Sequence, residues 1–99
     1  MILGRVVGNV VATQKNPDFN GKKLLLVMPV DPEGEAAGSI QLAVDAVGAG
    51  EGDLVIVIAE GGSARQVLGV QNPLAPIDNV IAGIVDEVES EAGTLRLYP

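Results

Sequence analysis

Apolar or small residues occupy every even position from residue 2 to residue 12, and polar side chains occur there only at odd positions. Because successive side chains of a strand point to opposite faces, this alternation predicts a strand over residues 2–13 with its even positions turned inward. Gly4 and Gly8 remove side chains from that inner face, which is typical of a strand that coils tightly round a barrel.

Further apolar runs, separated by glycine, proline and polar residues, predict the remaining elements. Strands are expected over residues 23–30, 39–47, 54–59, 80–89 and 94–98. In the third strand Ile40, Leu42, Val44 and Ala46 share one face. Gly83 predicts a bulge or a close backbone approach inside the fifth strand.

The elements together predict the all-β class. Ser63 is expected to cap a helix of one or two turns through about Leu68, the one short helix of the chain. Five or six short strands with this helix predict a small five-stranded β-barrel of the oligonucleotide-binding (OB) type, in a single domain over residues 1–99.

Three of the predicted strands are apolar on both faces, over residues 24–28, 54–59 and much of 80–85. A barrel has a single inner face, so the strands of an isolated barrel should alternate. Other copies of the same chain would cover the outer faces in a homo-oligomer. The alternative is that the loops 31–38 and 71–79 fold back over the sheet.

The amino-acid composition excludes several kinds of catalytic and metal-binding site. The 99 residues include no histidine and no cysteine, which excludes an imidazole base, a histidine metal ligand and a thiolate zinc site. The net charge of −7 opposes nucleic acid, and the longest apolar run is far shorter than the roughly 20 residues of a membrane helix. We therefore predict no catalytic residue, no metal, no cofactor, no nucleic acid and no membrane partner, in the cytoplasm.

The glycine-rich segment 48–52 has some likeness to a phosphate-binding loop, but three features argue against that interpretation. Its third glycine comes one position early, the next element is a strand rather than a helix, and Glu51 and Asp53 would repel phosphate. A tight turn or a close contact between chains is expected instead.

Arg65 is the only cation between Lys23 and Arg96 in the sequence. Two interpretations are open: a surface arginine loosely paired with Glu60, or an interface anchor that binds a carboxylate such as Asp45 or Asp78 with both arms of its guanidinium.

Several segments, in their order and spacing, resemble one known family. They are residues 1–15, 23–27, 44–50, 62–65 and 76–85. The family is that of the bacterial microcompartment vertex proteins, the EutN/CcmL-type pentameric shell proteins. Met28 and Gly62 depart from the family's common residues at their positions, where a glutamine and a serine are more frequent.

This resemblance implies a structural, non-enzymatic protein in a microcompartment shell in the cytoplasm. It implies a five-stranded barrel that assembles as a homopentamer and caps the vertices of an icosahedral shell among hexameric shell proteins. We take seven residues as candidates for subunit or shell contacts: Asp45, Gly48, Gly50, Ser63, Arg65, Asp78 and Asn79. The alternative function is a small acidic ligand-binding β-barrel, which would need a pocket with convergent polar groups.

Overall fold

A closed β-barrel forms the body of the protein. The computed structural model of the chain describes residues 1–11, 23–59, 79–91 and 93–96. These residues form the strands β1 (Ile2–Val10), β2 (Lys23–Pro29), β3 (Gln41–Asp45), β4 (Leu54–Ile58), β5 (Val80–Ile84), β6 (Glu87–Ser90) and β7 (Gly93–Arg96). The first five close into a barrel in the order β1-β2-β3-β5-β4, and β6 and β7 form a separate two-stranded sheet. The predicted all-β class and five-stranded barrel are confirmed.

The predicted helix that begins at Ser63 lies outside the described residues. The described residues contain no helix that is long and apolar enough to cross a lipid bilayer. Strands β3 and β5 run parallel, whereas the other neighbours in the barrel are antiparallel.

Small and branched aliphatic side chains fill the barrel interior. The core consists of Val6, Leu25, Val27, Ala43, Ala49, Val55, Val57 and Ile81. Complete burial of each larger side chain contributes roughly 1.5–3 kcal/mol. Gly4 lies at a crowded point of the wall, because a Cβ there would overlap Cγ1 of Val27 and lie 3.2 Å from the backbone oxygen of Met28.

The inward face of β1 changes at its middle. Val6 is opposite Val27, but Gly8 is opposite Leu26, so Val7 has no counterpart on β2. Paired residues share a face of the sheet, and a Cβ on Gly8 would lie 3.5 Å from Cδ1 of Leu26, outside the core. The prediction that all even positions face inward is therefore wrong beyond Val6, because the extra residue reverses the alternation.

Strand β3 is shorter than predicted, and its apolar face is the outer one. Ala43 is opposite Leu25 and belongs to the core, so Leu42 and Val44 lie on the outside of the barrel. Leu42 is 48% exposed. The alternation at these two positions is confirmed, while the predicted span of residues 39–47 is wrong at both ends.

The predicted strand over residues 80–89 is two strands. β5 ends at Ile84 and β6 begins at Glu87, because the acidic residues that follow would put unpaired carboxylates on an apolar wall. A register shift between Ile56 and Val57 on β4 leaves Ala82 without a counterpart. This irregularity lies next to Gly83, where a bulge was predicted. The last strand, predicted over residues 94–98, is β7, which begins at Gly93.

The outer faces of the apolar strands are covered unequally. Leu24, Val44 and Val80 form a row across β2, β3 and β5, and all three are buried although they lie outside the core cluster. Beside this row Leu42 is 48% and Ile40 is 52% exposed. Cover within the protomer, the alternative to oligomerisation, thus accounts for part of the outer apolar surface, and another part stays open.

Candidate functional site

Four of the seven predicted contact residues lie in the described part of the chain. Asp45, Gly48 and Gly50 come together in the turn between β3 and β4, and Asn79 lies at the entrance to β5. The other three candidates, Ser63, Arg65 and Asp78, lie outside the described residues.

Asp45 organises the turn that follows β3. Its Oδ1 accepts hydrogen bonds from the amides of Val47 (3.2 Å) and Ala49 (3.1 Å), and its Oδ2 accepts one from Gly48 (3.0 Å). Aspartate is favoured at such positions because its short carboxylate reaches backbone amides two to four residues ahead. The strand ends at Asp45 for this reason, and the side chain is only 5% exposed.

Lys23 completes the turn from the neighbouring strand. It lies opposite Asp45 in the β2–β3 ladder, with Nζ 3.6 Å from Oδ2 of the carboxylate. The same ammonium group donates a hydrogen bond to the carbonyl oxygen of Ala49. Lys23 was not among the predicted site residues. Aligning the apolar runs of β2 and β3 as antiparallel neighbours would have placed Lys23 opposite Asp45 and so indicated the ion pair.

The second half of the turn is bound to β1. Oδ2 of Asp53 accepts a hydrogen bond from the amide of Gly50 (2.8 Å), and Nη1 of Arg5 donates one to the carbonyl oxygen of Gly52 (3.0 Å). The backbones of Val6 and the segment 52–53 exchange two further hydrogen bonds, of 2.9 and 2.8 Å. Asp53 is a second residue whose role the sequence analysis did not predict: its carboxylate holds this turn.

Two glycines give the turn its shape. Gly48 and Gly52 have φ angles of +80° and +92°, in the left-handed region that side chains disfavour. A Cβ at either position would meet no heavy atom of the described residues within 4 Å, so it is the backbone angle that requires glycine there. The predicted tight turn is confirmed.

The backbone amides of the turn donate hydrogen bonds to carboxylates of the same chain. The amides of Gly48, Ala49 and Gly50 all donate to Asp45 or Asp53, so two anions hold the positions that a phosphate would need. A phosphate-binding loop requires free amides directed at the ligand. The segment is therefore a rigid structural turn.

Asn79 connects two strands that are distant in sequence. Its Nδ2 donates to the carbonyl oxygen of Leu42 (3.2 Å), and its backbone oxygen accepts a hydrogen bond from the amide of Val44 (3.0 Å). The parallel β3–β5 pairing extends over only two residue pairs, Val44 with Val80 and Asp45 with Ile81. Asn79 therefore extends a short ladder and helps to close the barrel.

An open depression of about 390 Å³ lies beside this turn. Its lining consists of Arg5, Glu51, Gly52, Asp53, Leu54, Ile84 and Val85. Arg5 and Asp53 already make hydrogen bonds within the chain, and Ile84 is 40% exposed. Among the described residues, no group of three acidic, histidine or cysteine side chains is arranged to hold a metal ion.

Comparison with known proteins identifies the relatives of this barrel. The family model of the ethanolamine utilisation protein EutN/carboxysome matches residues 1–86. The chain is 47% identical over 90 residues to the microcompartment shell vertex protein GrpN of Rhodospirillum rubrum, covering 91% of this chain and 98% of that protein. It is 49% identical over 90 residues to the vertex protein PduN of Salmonella typhimurium, covering 87% and 96% of the two chains.

The solved structures agree with the sequence comparison. The GrpN pentameric microcompartment shell protein of Rhodospirillum rubrum superposes with a TM-score of 0.79 at 46% identity, over 91% of this chain and 99% of that one. Both the sequence and the barrel therefore match along nearly their whole length, and the chain belongs to the EutN/CcmL family.

Proposed function

We propose that this protein is a vertex protein of a bacterial microcompartment shell in the cytoplasm. It assembles as a homopentamer that caps the icosahedral vertices among hexameric shell proteins. One observation carries the proposal: 47% identity over 98% of a shell vertex protein whose own solved structure, described as pentameric, has the same barrel.

Features of the protomer suit such an assembly. In a ring each protomer contacts its two neighbours through two different surfaces, so it must offer more than one patch that is stable only when covered. Ile40 and Leu42 are about half exposed on the outer face, and Ile84 is 40% exposed at the depression. The turn between β3 and β4 is held by hydrogen bonds on both sides, which gives the protomer a fixed surface for a neighbour.

A structural role fits the chemistry of the chain better than catalysis does. Without histidine or cysteine, the chain lacks the most common general base and the most nucleophilic side chain of enzymes. The carboxylates of Asp45 and Asp53 accept backbone amides and hold a turn. We therefore propose no catalytic activity and no metal or cofactor requirement.

The alternative of a ligand-binding barrel has weaker support. Such a protein binds in a concave pocket with convergent polar groups. Here the interior is packed with aliphatic side chains, and at the outer depression Arg5 and Asp53 are engaged within the chain.

Two measurements test the proposed function. Native mass spectrometry at micromolar concentration should give the mass of five chains, and mainly monomer or dimer would contradict the proposal. Co-expression with a hexameric shell protein should give closed particles that contain this chain, because a layer of hexagons closes only where fivefold units are inserted. Particles that close equally well without it, or that never contain it, would also argue against a vertex role.

A further inference from the structure

The β6–β7 hairpin has little packing support from the other described residues of its own protomer. In the described part of the chain, the two hairpin strands pack extensively only on each other. None of the residues from Glu87 to Glu91 is buried, and Gly93 and Thr94 are exposed. An isolated two-stranded hairpin is at best marginally stable in water, so a stable one needs a further surface to pack on.

The hairpin also has two different faces. Glu87 and Glu89 are exposed, whereas Val88 between them is partly covered. Val88 is paired with Leu95, and Glu89 with Thr94. Because successive side chains of a strand alternate, Val88 lies on one face of β6, and Glu87 and Glu89 lie on the other.

A matching apolar surface lies open on the barrel. Leu26 and Leu42 are opposite each other on the outer face of β2 and β3, with Gly8 of β1 beside them. Ile40 precedes β3 and is 52% exposed, and Leu42 is 48% exposed. We call Leu26, Ile40 and Leu42 the β2–β3 patch. Among the described residues, neither strand of the protomer's own hairpin packs extensively on β2 or β3.

Charge favours the same pairing. Four acidic residues lie at or beside β6: Asp86, Glu87, Glu89 and Glu91. Strand β2 begins at Lys23, directly after Lys22, and the side chain of Lys23 is 49% exposed. Lys23 is paired with Asp45, yet half of its side chain stays exposed, so the basic start of the receiving strand attracts the acidic arm. Two acidic arms repel each other and are kept from pairing edge to edge.

We propose that the β6–β7 hairpin is an arm that packs, through the face that carries Val88, on the β2–β3 patch of the neighbouring protomer. The arm and the patch are different surfaces of one chain, so each protomer gives an arm to one neighbour and receives an arm from the other. This proposal rests on the proposed function, because it assigns a contact within the ring. The family match ends at residue 86, before the arm begins.

The absence of cysteine allows a direct test. Chains that carry both Val88→Cys and Leu42→Cys would be treated with a short bismaleimide crosslinker and separated under denaturing conditions. We expect a ladder that ends at five chains. A mixture of single variants, one with Val88→Cys and the other with Leu42→Cys, should stop at dimers. The matched control replaces Val88→Cys by Glu89→Cys, on the other face of the arm, and should give at least about tenfold less crosslinked product.

The possible results decide between the alternatives. Crosslinking inside single chains would show that the arm packs on its own barrel and would overturn the proposal. No crosslink in a protein that native mass spectrometry shows to be pentameric would overturn it while leaving the proposed function intact. A wild-type protein that is monomeric would overturn both.

A second variant tests the same contact without crosslinking. Val88→Asp should raise the protein concentration at which half of the rings dissociate by about tenfold or more, because a carboxylate would replace a buried aliphatic side chain. Its circular dichroism should stay unchanged, since Val88 is not part of the barrel core. Unchanged assembly by this variant would contradict the proposal.

Discussion

Lys23 and Asp45 face each other across β2 and β3, with Nζ of the lysine 3.6 Å from Oδ2 of the aspartate. The two partners are unequal: the lysine side chain is 49% exposed and the aspartate side chain only 5%. The carboxylate also accepts three backbone amides of the following turn. The turn therefore depends on the carboxylate more than on the ion pair.

This inequality predicts different costs for the two partners. Asp45→Ala leaves three amides without their acceptor and should lower the free energy of unfolding by about 1–3 kcal/mol. Lys23→Met keeps the carboxylate with its amides and should cost about 0–1 kcal/mol, as for a half-exposed ion pair. Urea unfolding of both variants at one protomer concentration checks the difference. Equal losses would show that the ion pair, and not the amide cap, holds the turn.

Gly4 and Gly8 should respond differently to the same substitution. Gly4→Ala would force a Cβ against Cγ1 of the fully buried Val27, and overpacking of this kind costs about 1–3 kcal/mol. Gly8→Ala places its Cβ 3.5 Å from Leu26, an ordinary contact, and should change stability by less than about 1 kcal/mol. Thermal or urea unfolding of the pair is the measurement, and a larger loss for Gly8→Ala would contradict the face switch in β1.

Gly50 can separate folding from assembly. Among the described residues, a Cβ on Gly50 would meet only Oδ2 of Asp53, at 4.0 Å, so Gly50→Ala should leave the folding of the barrel intact. If the turn lies at a subunit contact, as the sequence predicts, Gly50→Ala should weaken the pentamer in sizing experiments. Gly48→Ala is the comparison, because its φ of +80° should make it cost about 1–2 kcal/mol in folding itself. A fully stable Gly50→Ala pentamer would remove Gly50 from the contact candidates.

Arg65 is expected to matter for assembly more than for the fold of one chain. If its guanidinium pairs with a desolvated carboxylate of a neighbour, breaking the pair should cost about 3–5 kcal/mol at each contact of the ring. Arg65→Glu should then give soluble, β-rich protein that forms no pentamer. Because Asp45 is already engaged by Lys23 and three amides, we expect Asp78 to be the partner of Arg65. Adding Asp78→Arg to Arg65→Glu exchanges the two charges and should restore the ring. A normal pentamer of Arg65→Glu would reduce the residue to a solvated surface arginine.

The sequence by itself determined the kind of protein. Apolar runs between glycine and proline clusters predicted the strands, because a strand's hydrophobic content and its turn residues are local properties of the chain. The missing histidine and cysteine excluded imidazole and thiolate chemistry, because such chemistry depends on which side chains the chain contains. Strands that are apolar on both faces showed that the outer surface of the barrel needs cover.

Only the tertiary structure decided which face of each strand points inward. One extra residue at Val7 reverses the second half of β1, and pairing with β2 places Ala43 in the core and leaves Leu42 outside. Because side chains alternate with a period of two, a shift of one residue exchanges the faces, and the register depends on a partner strand that is distant in sequence. The same non-local pairing brings Lys23 to Asp45 and separates β6 and β7 from the barrel as a hairpin.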